Sequence, residues 1–243
     1  MTIFLLTALI LALSMLYASV GQAGGSGYLA AMALLGVAPA VMKPTALVLN
    51  ILVAIISTMK FARAGYVSWA TLWPFVVTSV PAAFIGGSLS LLGSVYNIAV
   101  GVVLLFAAYR LWLLSRASTS ALPKPPPLSI ALLLGVGIGL LSGFTGIGGG
   151  IVFSPLLLSM GWAGTRDTLG LSAAINLSNS AAGLLGHLSS VMALPSPIPL
   201  WAAAAMIGGW VGADYGSRRF SSVTLQRLLA VILTMAGLKL MMA

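Results

Sequence analysis

Two glycine clusters are the residues of this sequence with the clearest chemical potential. The first runs from Gly21 to Gly27 and the second from Gly143 to Gly150. Clustered glycines end a helix, and irregular backbone at membrane depth is tolerated only where it packs in protein or lines water. A helix that begins after such a cluster offers N–H groups and a positive dipole end to an anion. The predicted anion contacts from the clusters are Gly24, Gly25, Ser26, Gly27, Gly148, Gly149 and Gly150.

Uncharged polar side chains follow each cluster along the chain. Hydroxyl and amide groups donate hydrogen bonds to an oxyanion without adding a permanent charge. The alternative is that these groups only bond neighbouring helices, with a modest stabilisation of roughly 0.6 kcal/mol each. The side chains predicted to contact the same anion are Thr45, Asn50, Ser172, Asn176 and Asn179.

The residues needed for other kinds of site are scarce. The absence of cysteine excludes disulfides and thiolate metal sites. The only carboxylates are Asp167 and Asp214, near segment ends, and His187 is the single embedded histidine. Proton or sodium coupling usually requires buried acids or histidines. We therefore expect no catalytic residue, metal or cofactor, and the shortage of acids favours an exporter or facilitator over a proton-coupled importer.

The composition identifies the solvent around these segments. Of the 243 residues, 60% are hydrophobic and 5% are charged, with a mean hydropathy of +1.14. A soluble domain carries roughly a quarter charged residues, so this chain must face lipid. The net charge of +9 does not indicate a nucleic-acid partner, because the basic residues lie at segment ends. The expected fold class is an all-α integral membrane protein.

The charge-free stretches set the number of segments. Residues 1–42, 64–109, 125–165 and 168–213 contain no charged residue, and each is long enough for two spans of about 20 residues. Residues 44–59 and 220–243 add one span each, which gives ten segments in total. The second and seventh segments are short. Nine of the eleven basic residues then lie on one side, a strong positive-inside bias. The alternative of eight spans places five basic residues on one side of the membrane and six on the other.

Lys43 falls on the other side in the ten-segment arrangement. It is the lone basic residue between two long apolar stretches and is followed by Pro44. We expect its side chain to extend to the membrane surface, as lysines near the ends of spans do. Asp214 lies four residues before Arg218, a spacing that predicts a pair on one helix face.

The second half of the chain repeats the first. Gly21, Gly24, Gly25 and Gly36 recur 125 positions later, and Asn50 recurs as Asn176. Five segments per half predict inverted repeats, an architecture of many secondary transporters. The predicted units are residues 1–115 and 128–243, joined by a Pro/Ser-rich linker at 116–127. The isolated pairs Gly86-Gly87 and Gly208-Gly209 are interpreted as close helix packing.

The glycine clusters resemble those of the TauE/SafE family of sulfite exporters. The resemblance rests on Gly21 to Gly27 and on Gly146 to Gly150, with Pro155 and Gly161 following the second cluster, and it extends over both halves. Ala30 stands where the first half would match Pro155. The resemblance implies a multi-pass protein of the bacterial inner membrane that moves sulfite, sulfonates or other small organic anions. It also implies about eight helices rather than ten.

Two other functions fit parts of the sequence. Gly24 to Gly27 matches the Gly-x-Ser-Gly pattern of intramembrane serine proteases, in which Ser26 is the nucleophile and His187 the base. A scaffold subunit of the membrane is a further alternative. The expected partners are a small anionic substrate and the lipid bilayer, and an outward apolar helix face suits either lipid or a second copy in a homodimer.

Overall fold

The described part of the chain is built from α-helices and contains no strand. The computed structural model describes residues 2–89, 93–114, 124, 126–187 and 194–218, and several residues between 230 and 242. Most of the predicted linker at 116–127 lies outside the described residues. The helices are α1 (Thr2–Ser19), α2 (Gly25–Leu34), α3 (Pro39–Arg63), α4 (Trp69–Ser88), α5 (Gly93–Leu114), α6 (Leu128–Thr145), α7 (Gly150–Ser159), α8 (Thr165–Gly186) and α9 (Ile198–Arg218).

The outside of the helix bundle suits lipid. Three of the described helices are long and apolar enough to cross a membrane, over Ala40–Arg63, Trp69–Ser88 and Leu128–Thr145. Large apolar side chains are exposed on the outer surface, among them Phe4 at 77% and Leu133 at 73%. In water such a surface would be unfavourable, whereas hydrocarbon accepts it without cost. The predicted helical membrane protein is therefore confirmed.

Glycines at every fourth position pack α9 against α1. A Cβ atom at each would collide with α1 backbone, so the two helices approach more closely than larger residues allow. The contacts are Gly208 with Leu11, Gly212 with Met15 and Gly216 with Ser19. Because the residue numbers rise together, α1 and α9 run parallel.

A second glycine row packs α6 against α4 in the same way. The contacts are Gly135 with Phe75, Gly139 with Ser79 and Gly143 with Ala83, so these helices are also parallel. Gly86 meets the backbone of Leu140, and Gly87 meets that of Gly183. The interpretation of the isolated glycine pairs as packing residues is confirmed.

The carboxyl ends of α3 and α9 lie together. Lys60 Nζ is 2.7 Å from Asp214 Oδ1 and lies 4.1 Å from the centre of the Trp210 ring. Lys60 and Arg63 occupy the last turn of α3, where a positive charge also interacts favourably with the helix dipole. The described ion pair of Asp214 is thus with Lys60 on a different helix. The side chain of Arg218, predicted to pair with Asp214, lies outside the described residues.

The buried apolar residues form two clusters that flank the glycine-rich segments. One cluster joins α1, α2, α3, α5, α9 and the start of α7, and it contains Tyr28 and Leu49. The other joins α4, α6, α7 and α8 and contains Phe75, whose ring lies 4.9 Å edge-on from that of Phe153. Each short helix is therefore held between longer ones, and the starts of α2 and α7 are held inside the protein.

Candidate functional site

The two short helices start inside the protein at left-handed glycines. The residue before α2 is Gly24, with φ 99°, and the residue before α7 is Gly149, with φ 88°. A side chain at either φ value would be strained, because Cβ approaches the following carbonyl in this conformation. Both glycines are buried. The sequence therefore makes each helix begin within the bundle rather than at its surface.

An asparagine caps the first amide of each short helix. The Gly25 amide donates to Asn50 Oδ1 at 3.0 Å, and the Gly150 amide donates to Asn176 Oδ1 at 2.8 Å. The first amides of a helix have no partner within the helix, so a side-chain oxygen or an anion must satisfy them. The two asparagines related by the sequence repeat thus make the same hydrogen bond in the two halves.

Asn50 also joins the two glycine clusters. Its Nδ2 donates to Ile147 O at 3.2 Å and to Ser180 Oγ at 2.8 Å. A Cβ atom at Gly25 would be 2.7 Å from Ile147 O, and one at Gly148 would be 2.6 Å from Asn176 Oδ1. The backbone of Gly25 therefore lies against that of Ile147 in the second cluster, and a side chain at position 25 would prevent this contact.

A small recess lies between the clusters. It has about 150 Å³ of empty space, but it is so constricted that no water molecule fits in it. Its lining residues are Tyr17, Gln22, Ala23, Gly24, Gly25, Ser26, Ile147, Ile151 and Asn176. The recess is therefore too small to hold an anion in this structure, and we call this arrangement the closed form.

The predicted contacts fall into two groups. Those that line the recess or touch its lining are Gly24, Gly25, Ser26, Gly27, Asn50, Gly148, Gly150 and Asn176. Among these, Gly27 packs against the Tyr17 ring. The others lie apart from the recess, and they are Thr45, Gly149, Ser172 and Asn179. Within this second group Ser172 Oγ is 2.6 Å from Ser154 Oγ.

Thr45 and Asn179 are buried without a hydrogen-bond partner among the described residues. Both are 0% exposed, and Thr45 Oγ1, Asn179 Oδ1 and Asn179 Nδ2 make no hydrogen bond there. A Cβ atom at Gly149 would lie 3.0 Å from Asn179 Nδ2, so this amide lies beside the start of α7. Buried polar groups usually form hydrogen bonds, so these two side chains are unsatisfied hydrogen-bonding groups among the described residues.

The sequence prediction missed two residues of the recess with polar side chains, Tyr17 and Gln22. Tyr17 lies in the apolar pattern of α1, where an aromatic residue gives no signal beyond core packing. Gln22 lies inside the first glycine cluster and is 5% exposed. Its polarity within an uncharged stretch was a signal that could have identified it.

The comparisons with known proteins identify the family of the chain. The family model described as "Sulfite exporter TauE/SafE" matches residues 6–240. The chain belongs to this family. It is also similar to the "Probable membrane transporter protein y4hK" of Sinorhizobium fredii (strain NBRC 101917 / NGR234), with 43% identity over 232 residues, which are 94% of each chain. No solved structure matches the chain.

Membership of the TauE/SafE family confirms the resemblance drawn from the glycine clusters. The matched range includes both clusters, both capping asparagines and the entire recess. The chain is therefore a membrane transporter protein with several spans. Its family is one of permeases rather than enzymes.

The Lys43 side chain is covered by protein at the end of α4. It is 5% exposed, and its ammonium donates to Gly87 O at 3.0 Å and to Leu89 O at 3.3 Å. That the side chain extends to the membrane surface stays a prediction. The carbonyls that end α4 attract a cation, because the negative end of a helix dipole lies there.

Ser26 and His187, the two residues of the protease alternative, have separate partners. Ser26 Oγ donates to Tyr17 Oη at 3.0 Å, whereas His187 Nδ1 lies 3.1 Å from Gly87 O. Among the described residues no hydrogen bond joins them, and such a bond is the geometric mark of a nucleophile and its base. The arrangement suits a structural histidine in a TauE/SafE transporter.

Proposed function

We propose that the protein is a permease that moves a small anion, a sulfur oxyanion or an organosulfonate such as sulfite, out of the cell across the bacterial inner membrane. The observation that carries this proposal is the meeting of two short helices whose first amides are each capped by an asparagine oxygen. Helix starts of this kind bind anions because their amides and dipoles favour negative charge.

The asparagines act as internal substitutes for the anion in this proposal. In the closed form, Asn50 Oδ1 and Asn176 Oδ1 accept the hydrogen bonds of Gly25 and Gly150. An oxyanion forms stronger hydrogen bonds than a neutral amide oxygen. When it enters, it takes over these amides, and the freed asparagine side chains can turn their NH₂ groups toward it.

Alternating access follows from inverted repeats, which we propose for residues 1–115 and 128–243 with ten segments in total. The paired contacts support it. α1 packs parallel to α9, and α6, its counterpart in the repeat, packs parallel to α4. Gly21 packs on Leu169 of α8, and Gly146 packs on Lys43 of α3. Each glycine cluster therefore touches the third helix of the other half, as a twofold relation requires.

Export is supported by the charges of the chain. The whole sequence has two acidic residues, and the described Asp214 is bound to Lys60 at a helix end. Coupling to an ion gradient usually uses acids inside the membrane. An anion that leaves a negative-inside cell gains about 2.3 kcal/mol per charge per 100 mV, so export needs no coupling ion.

Proteoliposomes test the proposal. Vesicles that contain the purified protein are loaded with sulfite, methanesulfonate or ethanesulfonate, and efflux is followed after an inside-negative potassium diffusion potential is imposed. Efflux of at least one of these anions should exceed that from protein-free vesicles and should rise with the potential. Equal efflux from both kinds of vesicle across the whole panel would show that the protein does not transport this class of anion.

A further inference from the structure

The hydroxyl group of Tyr17 lies beside the recess. Its hydrogen has no acceptor among the described residues. The residue is on α1, is 1% exposed and lines the recess. Its hydroxyl accepts a hydrogen bond from Ser26 Oγ at 3.0 Å. A tyrosine hydroxyl can also donate one hydrogen bond. Among the described residues no acceptor takes this hydrogen, although a buried hydroxyl normally finds one.

The neighbouring Tyr28 is fully satisfied. Its hydroxyl donates to Ala23 O at 2.7 Å and pairs with Ser14 Oγ at 2.8 Å. It is 0% exposed and does not line the recess. These two buried tyrosines of the first half therefore differ in one respect. Only the hydroxyl of Tyr17 has a hydrogen that donates no hydrogen bond among the described residues.

Gln22 adds a second unsatisfied group to the same wall. It is 5% exposed, it lines the recess, and its Oε1 has no hydrogen-bond partner among the described residues. The two ends of a glutamine amide exchange by a simple rotation, so the NH₂ group can take this position. Tyr17 and Gln22 therefore offer two donors from one side.

The opposite wall of the recess offers no free side-chain acceptor. It consists of Ile147, Ile151 and Asn176 from the second half. Asn176 Oδ1 already accepts the hydrogen bond of Gly150, Ile147 O accepts that of Asn50 Nδ2, and the isoleucine side chains are apolar. An oxygen of a ligand that enters between the walls would accept the unused hydrogen of the Tyr17 hydroxyl.

We infer that Tyr17 and Gln22 determine anion binding in this recess, because each donates a side-chain hydrogen bond to an oxygen of the transported anion. The inference rests on the proposed function and adds two residues from the first half to its site. Ser26 is a positioning residue in this arrangement, since its hydrogen bond holds the Tyr17 hydroxyl at the recess. The hydrogen bonds to the anion form when the closed recess opens.

The variants Tyr17→Phe and Tyr28→Phe provide a matched test, because each removes one hydroxyl from a buried ring. For the anion that the wild type exports fastest, Tyr17→Phe should raise the concentration for half-maximal efflux about ten-fold, as expected when a hydrogen bond to a charged acceptor is lost. It should also lose most of the rise in melting temperature that this anion gives the wild type. Tyr28→Phe should keep both properties and melt at a lower temperature in the absence of anion.

The remaining outcomes separate the two proposals. If the wild type exports no anion of the panel, the proposed function and this inference both fail. If the wild type exports but Tyr17→Phe keeps its half-maximal concentration and its anion-induced shift, the inference alone is wrong. Gln22→Met is the second variant should Tyr17→Phe not fold. It should weaken anion binding to a similar degree, and unchanged binding would overturn the inference.

Discussion

In the proposed mechanism, an asparagine oxygen and an oxyanion compete for the same amides at the starts of α2 and α7. The two capping bonds, from Gly25 to Asn50 and from Gly150 to Asn176, are 3.0 Å and 2.8 Å long. A cap of this kind contributes about 1 kcal/mol. Under the proposal, a bond of this strength holds the closed form in the absence of an anion and gives way to a charged ligand.

Gly148 is the single residue whose substitution should damage the site most directly. It has φ +88°, and a Cβ atom there would collide with Asn50 Nδ2 and lie 2.6 Å from Asn176 Oδ1. Gly148→Ala should therefore displace both capping asparagines and abolish efflux from proteoliposomes. Gly161→Ala is the control, because Gly161 also has a positive φ, +65°, but has nothing within 4 Å of the added atom.

The control separates backbone strain from steric collision. Gly161→Ala should cost only the strain of a left-handed alanine, about 1 kcal/mol, and should keep wild-type efflux. Efflux is measured on variants purified as monodisperse protein, with melting temperatures recorded in parallel. If both variants lose efflux equally, strain rather than the contact with the asparagines is responsible.

Single residues differ in how well the sequence predicts them. Asn50 and Asn176 could be found because a repeat places them at matching positions, and their identical hydrogen bonds justify that reasoning. Tyr17 could not, because its proposed role depends on which hydrogen bonds Tyr28 and Ser26 make across two helices. The partners of Lys43 could not be predicted either, because the carbonyls that bind it belong to α4, 44 positions away at Gly87.

At the scale of elements, glycine rows decide which helices pair. The α9 row that contains Gly208, Gly212 and Gly216 brings α1 to backbone contact. In lipid, helix association depends on such close packing rather than on the hydrophobic effect. The sequence shows the rows and the helix ends at positive-φ glycines. It does not show that α9 packs on α1, because that contact joins the two extremes of the chain.

Gly212→Val tests this pairing. The added side chain would collide with the backbone of Met15, so α1 and α9 must separate and the bundle should not form. Gly137→Val on α6 is the control, since nothing lies within 4 Å of a Cβ atom there. Size-exclusion chromatography in detergent should give a monodisperse peak for the control and aggregates for Gly212→Val. A monodisperse, thermally stable Gly212→Val would show that close approach is not needed.

At the scale of the whole molecule, the distribution of charge and the packing of helices independently favour the ten-segment arrangement. The ten-segment arrangement places nine of eleven basic residues on one side, which the positive-inside rule assigns to the cytoplasm. The contact of Lys60 with Asp214 brings the ends of α3 and α9 to one side of the bundle. An arrangement with eight spans places α3 and α9 in opposite directions, so this contact argues against it.

Three cysteine variants distinguish ten spans from eight. The chain has no native cysteine, and Ala38, Ala64 and Met160 are exposed residues at helix ends. With ten segments, Ala38→Cys faces the outside, whereas Ala64→Cys and Met160→Cys both face the cytoplasm. A membrane-impermeant maleimide should then label Ala38→Cys in intact spheroplasts and the other two only after permeabilisation.

With eight spans, Ala38→Cys and Met160→Cys share a side and Ala64→Cys lies opposite. Since Ala38 and Met160 follow the corresponding helices α2 and α7, their appearance on the same side would exclude inverted repeats and the alternating access that depends on them.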